Sequence, residues 1–309
     1  MSILNRRYPA LQSSLLAVLI AMLAVLFSGC RTAPVQKLPQ TSCQRVVSLS
    51  PSVTEILYAL DMGRQVAGVT RFCKYPADAR TKPSVGGYVD PNLEALVRLK
   101  PDLVIIRTEQ TGLVHQVRAL NVPVLTVEHR NMDGILTSFE QIGQVCHREE
   151  QAHTYVSGLQ ARIQAVKKTL GRVHRKPSVL VSLEGDVHTS SIHWVYVAGP
   201  GSIYDWVIAQ AGGVNAVPPN RTGFVQISSE GILRMNPDVI IELLPYSSKI
   251  DPAVVRRQWD SLPSVAAVRN KRVYLFSQDY MMIPGPRFVG ALEQFARVIH
   301  PELGWPKPD

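Results

Sequence analysis

The sequence predicts an α/β protein in which two lobes, each a parallel sheet covered by helices, are joined by one long helix. Segments typical of strands and helices alternate along residues 44–148, and a second alternating set follows along residues 173–309. Residues 149–172 separate the two sets and carry apolar side chains at helical spacing. The length of 309 residues suits two domains, and 46% hydrophobic with 18% charged residues is typical of a folded protein.

Residues 1–29 are predicted to be a lipoprotein signal peptide. Two arginines precede an apolar core over residues 15–27, which is too short for an ordinary membrane span. The closing Phe27-Ser28-Gly29-Cys30 resembles a bacterial lipobox, although Phe27 replaces the usual leucine. This resemblance implies cleavage before Cys30 and lipid attachment to its thiol. An uncleaved anchor is the alternative. In both cases the folded part is periplasmic or otherwise extracytoplasmic, and residues 30–43 tether it to the membrane.

The charge of the chain narrows the classes of molecule that it could bind. The formal net charge of +9 falls to +7 when residues 1–29 are removed with their two arginines. The basic residues are dispersed and lack interleaved aromatics, which argues against nucleic acid as a partner.

The cysteine content leaves an odd number for pairing. With Cys30 lipidated, Cys43, Cys73 and Cys146 remain, so at least one is unpaired or pairs in trans. A bridge between Cys43 and Cys73 is disfavoured because they flank opposite ends of the predicted sheet. No cysteine or histidine spacing matches a zinc site, so neither a metal site nor a resident cofactor is predicted.

The N-terminal lobe, residues 44–148, begins with a strand and a helix. The helix start Ser52-Val53-Thr54-Glu55 has capping-box spacing, and Gly63 follows the helix end. A second strand leads to an irregular loop over residues 71–90. The predicted strands of this lobe cover residues 45–50, 65–70, 102–106 and 122–127, and further helices lie near residues 113–120 and from residue 133 onward.

The C-terminal lobe, residues 173–309, repeats this alternation after the long helix. Its loops are predicted over residues 184–201, 214–226 and 278–286, and its strands include residues 178–183 and 272–277. Ser202-Ile203-Tyr204-Asp205 again has capping-box spacing. The last helix runs from residue 287 to about 299, where Pro301 stops it.

One short unit occurs in both lobes. Residues 92–106 align with residues 228–242 at a constant offset of 136 positions, so that Glu94 falls on Glu230 and Asp102 on Asp238. Each copy predicts a polar helix start, an apolar helical face, a proline stop and a buried strand. The predicted apolar faces are Leu93, Leu96 and Val97 in one copy, and Ile232, Leu233 and Met235 in the other. Each glutamate lies in a first helical turn, where it complements the helix dipole. Two matched carboxylates also suit docking to a two-fold-related partner.

The loops at the carboxyl ends of the strands predict a ligand cleft between the lobes. The candidate ligand-binding residues are Phe72, Tyr75, Tyr88 and Arg107 on one side, and Tyr196, Phe224, Asp279, Tyr280 and Met281, together with His193, on the other. Flat aromatic side chains with few charges suit a large, rigid, partly apolar ligand, although some of them will pack under their own loops.

No motif for catalysis is present. The sequence has no Gly-x-Ser-x-Gly elbow, phosphate-binding glycine loop or His-Glu-x-x-His, so an enzyme is not predicted and no catalytic residue is assigned. His188 and His193 could supply an axial ligand to haem or cobalt, but local hydrogen bonding is the more ordinary role of loop histidines.

Several motifs carry a family resemblance. Arg45-Val-Val-Ser-Leu-Ser-Pro-Ser-Val-Thr-Glu55, Gly68-Val-Thr-Arg-Phe-Cys-Lys-Tyr-Pro76, Val85-Gly-Gly-Tyr-Val-Asp-Pro-Asn-Leu-Glu94, Lys100-Pro-Asp-Leu-Val-Ile105, Ala211-Gly-Gly-Val-Asn215 and Gly285-Pro-Arg287 resemble the substrate-binding proteins of ABC importers for vitamin B12, ferric siderophores and haem. The resemblance implies a class III periplasmic binding protein, with two Rossmann-like lobes joined by a long helix. It also implies that Glu94 and Glu230 meet arginines on an ABC permease homodimer that works with its ATPase, and that the protein itself is a monomer.

The sequence leaves two classes of ligand open. The loops that hold Phe72 and Tyr88 look most like those of cobalamin-binding members, which favours a corrinoid. Arg107 fits instead the anionic groups of a ferric siderophore or a haem propionate. A lipid-anchored scavenger without a transporter is the competing class of function.

Overall fold

The computed structural model describes residues 39–171, 173–185, 189, 191–245 and 250–305. The predictions for the signal peptide, for Cys30 and for His188 lie outside this part of the chain. Of the helices that the structure describes, none combines the length and the apolar composition needed to cross a membrane.

The N-terminal lobe contains a four-stranded, fully parallel sheet in the order β2-β1-β3-β4. Four consecutive residues of β3, Leu103 to Ile106, are buried, as expected for a strand covered on both faces. The elements are β1 (Val46–Ser48), α1 (Pro51–Ala59), β2 (Val66–Val69), α2 (Leu93–Arg98), β3 (Leu103–Arg107), α3 (Thr111–Arg118), β4 (Val124–Val127) and α4 (Met132–Cys146). The alternation predicted for this lobe is therefore present.

The predicted long helix is α5, Glu149–Leu170. It buries one stripe that includes Val156, Leu159 and Ile163, and this stripe packs against α4. Two glutamates in the first turn and two lysines in the last turn complement the helix dipole. Because α5 also contacts the last helix of the second lobe, it ties the two lobes together.

The C-terminal lobe contains a six-stranded sheet in which β10-β9-β5-β6-β8 are neighbours and β7 pairs with β5. The elements are β5 (Ser178–Gly185), β6 (Trp194–Ala198), α6 (Ile203–Gln210), β7 (Val214–Asn215), β8 (Phe224–Ser228), α7 (Ser229–Met235), β9 (Val239–Leu243), α8 (Pro252–Asp260), α9 (Ala266–Arg269), β10 (Val273–Phe276) and α10 (Val289–Ile299). A core of Leu180, Val195, Ile240 and Trp259 lies between this sheet and its helices.

The parallel sheet predicted for this lobe is wrong in one respect. β6 runs antiparallel to both β5 and β8, and it occupies part of the predicted loop over residues 184–201. β7 and β8 likewise lie partly in the predicted loop over residues 214–226. β6 and β8 therefore extend the parallel strands into a mixed sheet, and they bring Phe224 to the start of an ordered strand.

The two copies of the repeated unit have the same local structure. Asn92 caps α2 by accepting from the N–H of Ala95, and Ser228 caps α7 by accepting from the N–H of Gly231. After each helix the chain turns through a left-handed residue, Lys100 with φ of 46° and Asn236 with φ of 44°.

The matched aspartates anchor matched strands. Asp102 accepts from the backbone N–H of Arg45 at 3.0 Å, directly before β1, and Asp238 accepts from the N–H of Ser178 at 2.9 Å, the first residue of β5. In return, each aspartate donates its own N–H to the carbonyl of the same partner. The repeat in sequence is therefore a repeat in hydrogen bonding.

The structure also resolves the cysteine pairing that the sequence left open. Cys43 and Cys146 form a disulfide that joins the segment before β1 to the end of α4. Cys73 is free and buried, and its sulfur lies 3.1 Å from the Thr54 hydroxyl and 3.2 Å from that of Thr70. The absence of a Cys43–Cys73 bridge agrees with the sequence argument.

Candidate functional site

A cleft between the lobes contains two adjoining cavities at the carboxyl ends of the strands. The first, called here the aromatic cavity, has a volume of about 220 Å³ and is lined by Ser50, Pro51, Ser52, Phe72, Tyr88, Arg107, Met282, Ile283 and Pro284. The second, the polar cavity, has a volume of about 400 Å³ and is lined by Arg107, Glu109, His129, Arg130, Leu183, Gly201, Ser202, Ile203, Tyr204, Gly223, Phe224, Met282 and Pro284. Since they share Arg107, Met282 and Pro284, they form one site, at the position where α/β sheets usually bind ligands.

Four of the predicted ligand-binding residues line this cleft. Phe72 is 49% exposed and Phe224 is 56% exposed, so each offers an aromatic face to a ligand from its own lobe. Tyr88 and Arg107 lie together in the aromatic cavity, with the guanidinium carbon 5.8 Å from the ring centre. Phe224 follows Tyr88 by 136 positions, so the repeat extends back from the glutamates to aromatics that line the cleft.

The structure does not bring the other candidates to the described cavity walls. The side chain of Met281 is fully buried, so its assignment as a ligand contact is wrong, and Met282, Ile283 and Pro284 face the cavity instead. Tyr196 lies on β6, where its ring packs edge-on against Trp194. The candidate His193 is exposed on the approach to β6 and is outside the linings of both cavities.

Asp279, Tyr75 and Tyr280 belong to an ion cluster between the lobes. Arg287, which opens the segment before α10, donates to both carboxylate oxygens of Glu55 at 3.1 and 2.6 Å and to those of Asp279 at 2.8 and 2.9 Å. Its guanidinium carbon also lies 3.9 Å from the centre of the Tyr75 ring and 5.8 Å from that of Tyr280. Because Glu55 and Tyr75 are in the first lobe and Arg287 is in the second, the cluster fixes one lobe against the other.

The capping box predicted at Ser52 to Glu55 is therefore wrong. Helix α1 begins at Pro51 after Ser50, and no side chain caps it. Glu55 is only 3% exposed and is used by Arg287 instead. Burial raises the pKa of Glu55 and Arg287 opposes that rise, whereas the hydrogen bond from Arg287 lowers the pKa of Asp279. Burial disfavours the charge on Arg287 itself, but its two carboxylate partners outweigh burial and raise its pKa.

The floor of the cleft is an uncharged chain of hydrogen bonds. The Ser52 hydroxyl lies 2.8 Å from Nδ1 of His129, and Nε2 lies 3.0 Å from the hydroxyl of Ser138, which donates to the Gly134 carbonyl at 2.7 Å. Since Ser138 uses its proton on that carbonyl, Nε2 carries the histidine proton and Nδ1 accepts from Ser52. Burial, and then the charge of Arg107, lower the pKa of His129 to about 3, so the ring is neutral at pH 7.

Charges in the cleft are paired with one another. Arg107 forms an ion pair with Glu109, and Arg130 bonds both carboxylate oxygens of Glu128. The Arg107 side chain is 14% exposed, and its buried Nε has no hydrogen-bond partner among the described residues. The cleft can therefore take a neutral ligand without breaking an ion pair, and Arg107 keeps one unused donor. No group of three His, Cys, Asp or Glu in the described ranges is close enough to hold a metal ion.

Glu94 and Glu230 lie in the first turns of α2 and α7, as the sequence predicts. Both are exposed, and the Glu94 side chain retains 88% of its accessible surface. The nearest cation to Glu94 is Arg98, one turn later at 3.8 Å. A third cavity, of about 600 Å³, lies beside α7 and is lined by residues that include Arg221, Ile227 and Arg234, so it is separate from the cleft.

The family model for periplasmic binding proteins matches residues 46–280, which covers both lobes. The chain belongs to the periplasmic binding protein family. This periplasmic binding protein is 29% identical over 267 residues to the ABC transporter substrate-binding lipoprotein YvrC of Bacillus subtilis, a match that covers 84% of this chain and 81% of that protein. It is 26% identical over 263 residues to the vitamin B12-binding protein of Yersinia pestis, covering 84% of this chain and 88% of the relative.

Solved structures agree with this assignment. The periplasmic haem-binding protein RhuT of Roseiflexus, in its apo form, superposes with a TM-score of 0.71 at 25% identity, over 84% of this chain and 99% of that one. The fold is that of a class III periplasmic binding protein, as the sequence predicts. The protein is an extracytoplasmic substrate-binding protein of the class that serves ABC transporters.

Proposed function

We propose that this periplasmic binding protein captures a cobalamin or a related corrinoid in the interlobe cleft and delivers it to an ABC permease. The observation that carries the proposal is the composition of the cleft. Phe72 and Phe224 present aromatic surface from opposite lobes, and the charges between them are already paired within the protein. A large ring system that needs no cation from the protein to balance its charge suits such a site. The vitamin B12-binding relative in Yersinia pestis supports the same ligand class.

A ferric siderophore or haem is the second candidate, and one observation favours it. Arg107 lines both cavities and keeps a buried Nε without a partner in the described part of the chain. An anionic ligand that displaced Glu109 would gain a charge-assisted hydrogen bond from this guanidinium. The structural likeness to the haem-binding protein RhuT supports this alternative.

In the proposed function the protein is anchored to a membrane and works with a transporter. Cys30 carries the lipid after removal of the signal peptide, residues 1–29, and Glu94 and Glu230 dock onto an ABC permease dimer driven by its ATPase. Exposed charges of this kind set the rate and orientation of docking more than its affinity. Reversal of both charges should abolish uptake of the ligand and leave its binding unchanged. Unchanged uptake would favour a lipid-anchored scavenger that works without a transporter.

The ligand is tested by calorimetry on residues 31–309. Cyanocobalamin, a ferric hydroxamate, a ferric catecholate and haemin are titrated in parallel, and we expect saturable one-to-one binding of cyanocobalamin alone. Phe72→Ala and Phe224→Ala should each weaken it at least about fivefold, because an aromatic contact contributes about 1 kcal/mol in addition to the effect of the buried area. Tyr196→Ala removes an aromatic of similar exposure outside the cavity linings and is the matched control. Binding of an iron chelate or haem that Arg107→Gln abolishes, with no response to cobalamin, would refute the corrinoid proposal.

A further inference from the structure

Helices α2 and α7 each expose one large apolar side chain to solvent. Val97 is 47% exposed and Leu233 is 40% exposed, and the two are equivalent in the 136-residue repeat. The residues directly before them, Leu96 and Ile232, are equivalent too, and both are fully buried. The sequence places all four on apolar helical faces, but the structure buries only Leu96 and Ile232 and leaves Val97 and Leu233 in solvent.

The exposed pair is not explained by the packing of either lobe. Neither Val97 nor Leu233 is among the partly buried residues that pack against the two core clusters. Each lies three positions after a docking glutamate, which places the two side chains side by side on the same helical face. Glu94 with Val97, and Glu230 with Leu233, therefore form two matched surfaces, called here the acid–apolar patches.

The charges of these patches are weak anchors by themselves. Glu94 is highly exposed and already has Arg98 as a neighbour at 3.8 Å, so a partner cation must compete with an internal one. Ion pairs on exposed surfaces contribute little to affinity, because water and salt screen them. Apolar area removed from water contributes more per contact and, unlike a charge pair, is not screened by salt. A stable complex at these corners thus needs the apolar member of each patch.

We propose that Val97 and Leu233 are docking residues, each of which enters an apolar depression beside a basic group on one half of a two-fold-symmetric membrane protein. The two-fold symmetry is argued from the repeat, because two surfaces that each pair an exposed glutamate with a similarly exposed aliphatic side chain fit two copies of one partner surface. Tyr88 and Phe224, which line the cleft, each stand five positions before α2 and α7, so both patches lie near the cleft and one partner beside it reaches both. The inference rests on the proposed docking to a permease and adds the contacts that hold it.

The first experiment is photocrosslinking in cells that produce the full-length chain. The photoreactive amino acid benzoylphenylalanine is placed at position 97, at position 233, or at position 214. Val214 is the matched control, because it is 52% exposed but pairs with Ser178 at the opposite end of β5 from the cleft. Positions 97 and 233 should give an adduct with the same integral membrane protein, identified by mass spectrometry, and position 214 should give none. Adducts with two different proteins, or none at either position, would overturn the inference.

The second experiment separates this inference from the proposed function. Uptake of radiolabelled cyanocobalamin below saturation is measured with Val97→Ser, Leu233→Ser, both together, Val214→Ser, and the double charge reversal of Glu94 and Glu230. Each apolar variant should lower uptake about fivefold and the pair about twentyfold or more, since distant contacts combine multiplicatively. Calorimetry should show unchanged ligand affinity. If the charge reversal stops uptake and the apolar variants do not lower it, docking stands and this inference fails. If the charge reversal also leaves uptake intact, the proposed docking itself fails.

Discussion

Replacement of Arg287 by methionine should destabilise the protein by about 3 kcal/mol at pH 8, a value at the lower end of the 3–5 kcal/mol range for breaking a buried ion pair. The change removes four charge-assisted hydrogen bonds and leaves the carboxylate of Glu55 with 3% exposure and no cation. We take the lower end because Arg287 is 20% exposed and Asp279 is 24% exposed, so water screens part of the lost interaction. The loss should be smaller at pH 5. Burial raises the pKa of Glu55, and without Arg287 nothing opposes that rise, so at pH 5 the buried carboxyl group of the variant takes up a proton and no longer holds an unpaired charge.

The assay is urea unfolding followed by circular dichroism at pH 8 and pH 5, with Arg162→Met as the matched control. Arg162 makes the same two-point contact with Glu293, at 2.8 and 2.7 Å, also between the interlobe helix and the second lobe, but it is 47% exposed. Its replacement should cost about 1 kcal/mol or less. If Arg287→Met costs no more than Arg162→Met, or if its cost does not fall at pH 5, burial of the cluster does not control the stability of the interlobe contact.

Three further predictions concern stability. Because His129 has a native pKa of about 3 and an unfolded value near 6.5, the unfolded chain binds the extra proton, and the free energy of unfolding should fall as pH drops from about 6 to 4, by up to about 1.4 kcal/mol per unit. His129→Asn should remove this component, and an equal slope in both proteins at pH 7, 5.5 and 4 would contradict it. Replacing Cys43 and Cys146 with serine opens a link across 103 residues and should cost about 2–5 kcal/mol in urea unfolding, whereas an unchanged midpoint would argue against a stabilising bridge. Asp102→Ala and Asp238→Ala should each cost about 1–3 kcal/mol and by similar amounts, and a large difference between them would contradict their equivalence.

The features that the sequence predicts correctly are local. The repeated unit combines a cap, an apolar turn and a proline stop within fifteen residues, so its helix and strand follow from short-range rules. The long helix α5 is similarly determined by its own apolar stripe. In the candidate site, Phe72 is found because it follows β2 at the carboxyl end of a parallel sheet. Phe224 is found as part of a predicted loop, although it begins β8 in the structure.

The features that the sequence does not predict depend on contacts between distant residues or on the direction in which a residue faces. Glu55 has the spacing of a capping box, but its partner Arg287 is 232 positions away. The sequence of β6 contains a half-buried and an exposed aromatic, Trp194 and Tyr196, and it follows a polar segment, so nothing local reveals the antiparallel pairing with β5 and β8. Met281 and Met282 are adjacent, and only the short helical turn at residues 279–281 determines which one is buried.

Two aromatics that line the cleft each stand six positions before an exposed glutamate, Tyr88 before Glu94 and Phe224 before Glu230. One short segment in each lobe thus sets both part of the cleft wall and the position of an exposed first-turn glutamate. An insertion or deletion in either segment would shift both at once and would break the correspondence between the lobes. A change of the cleft wall at Tyr88 or Phe224 that leaves the glutamates in place must therefore be a substitution that keeps the length of its segment constant.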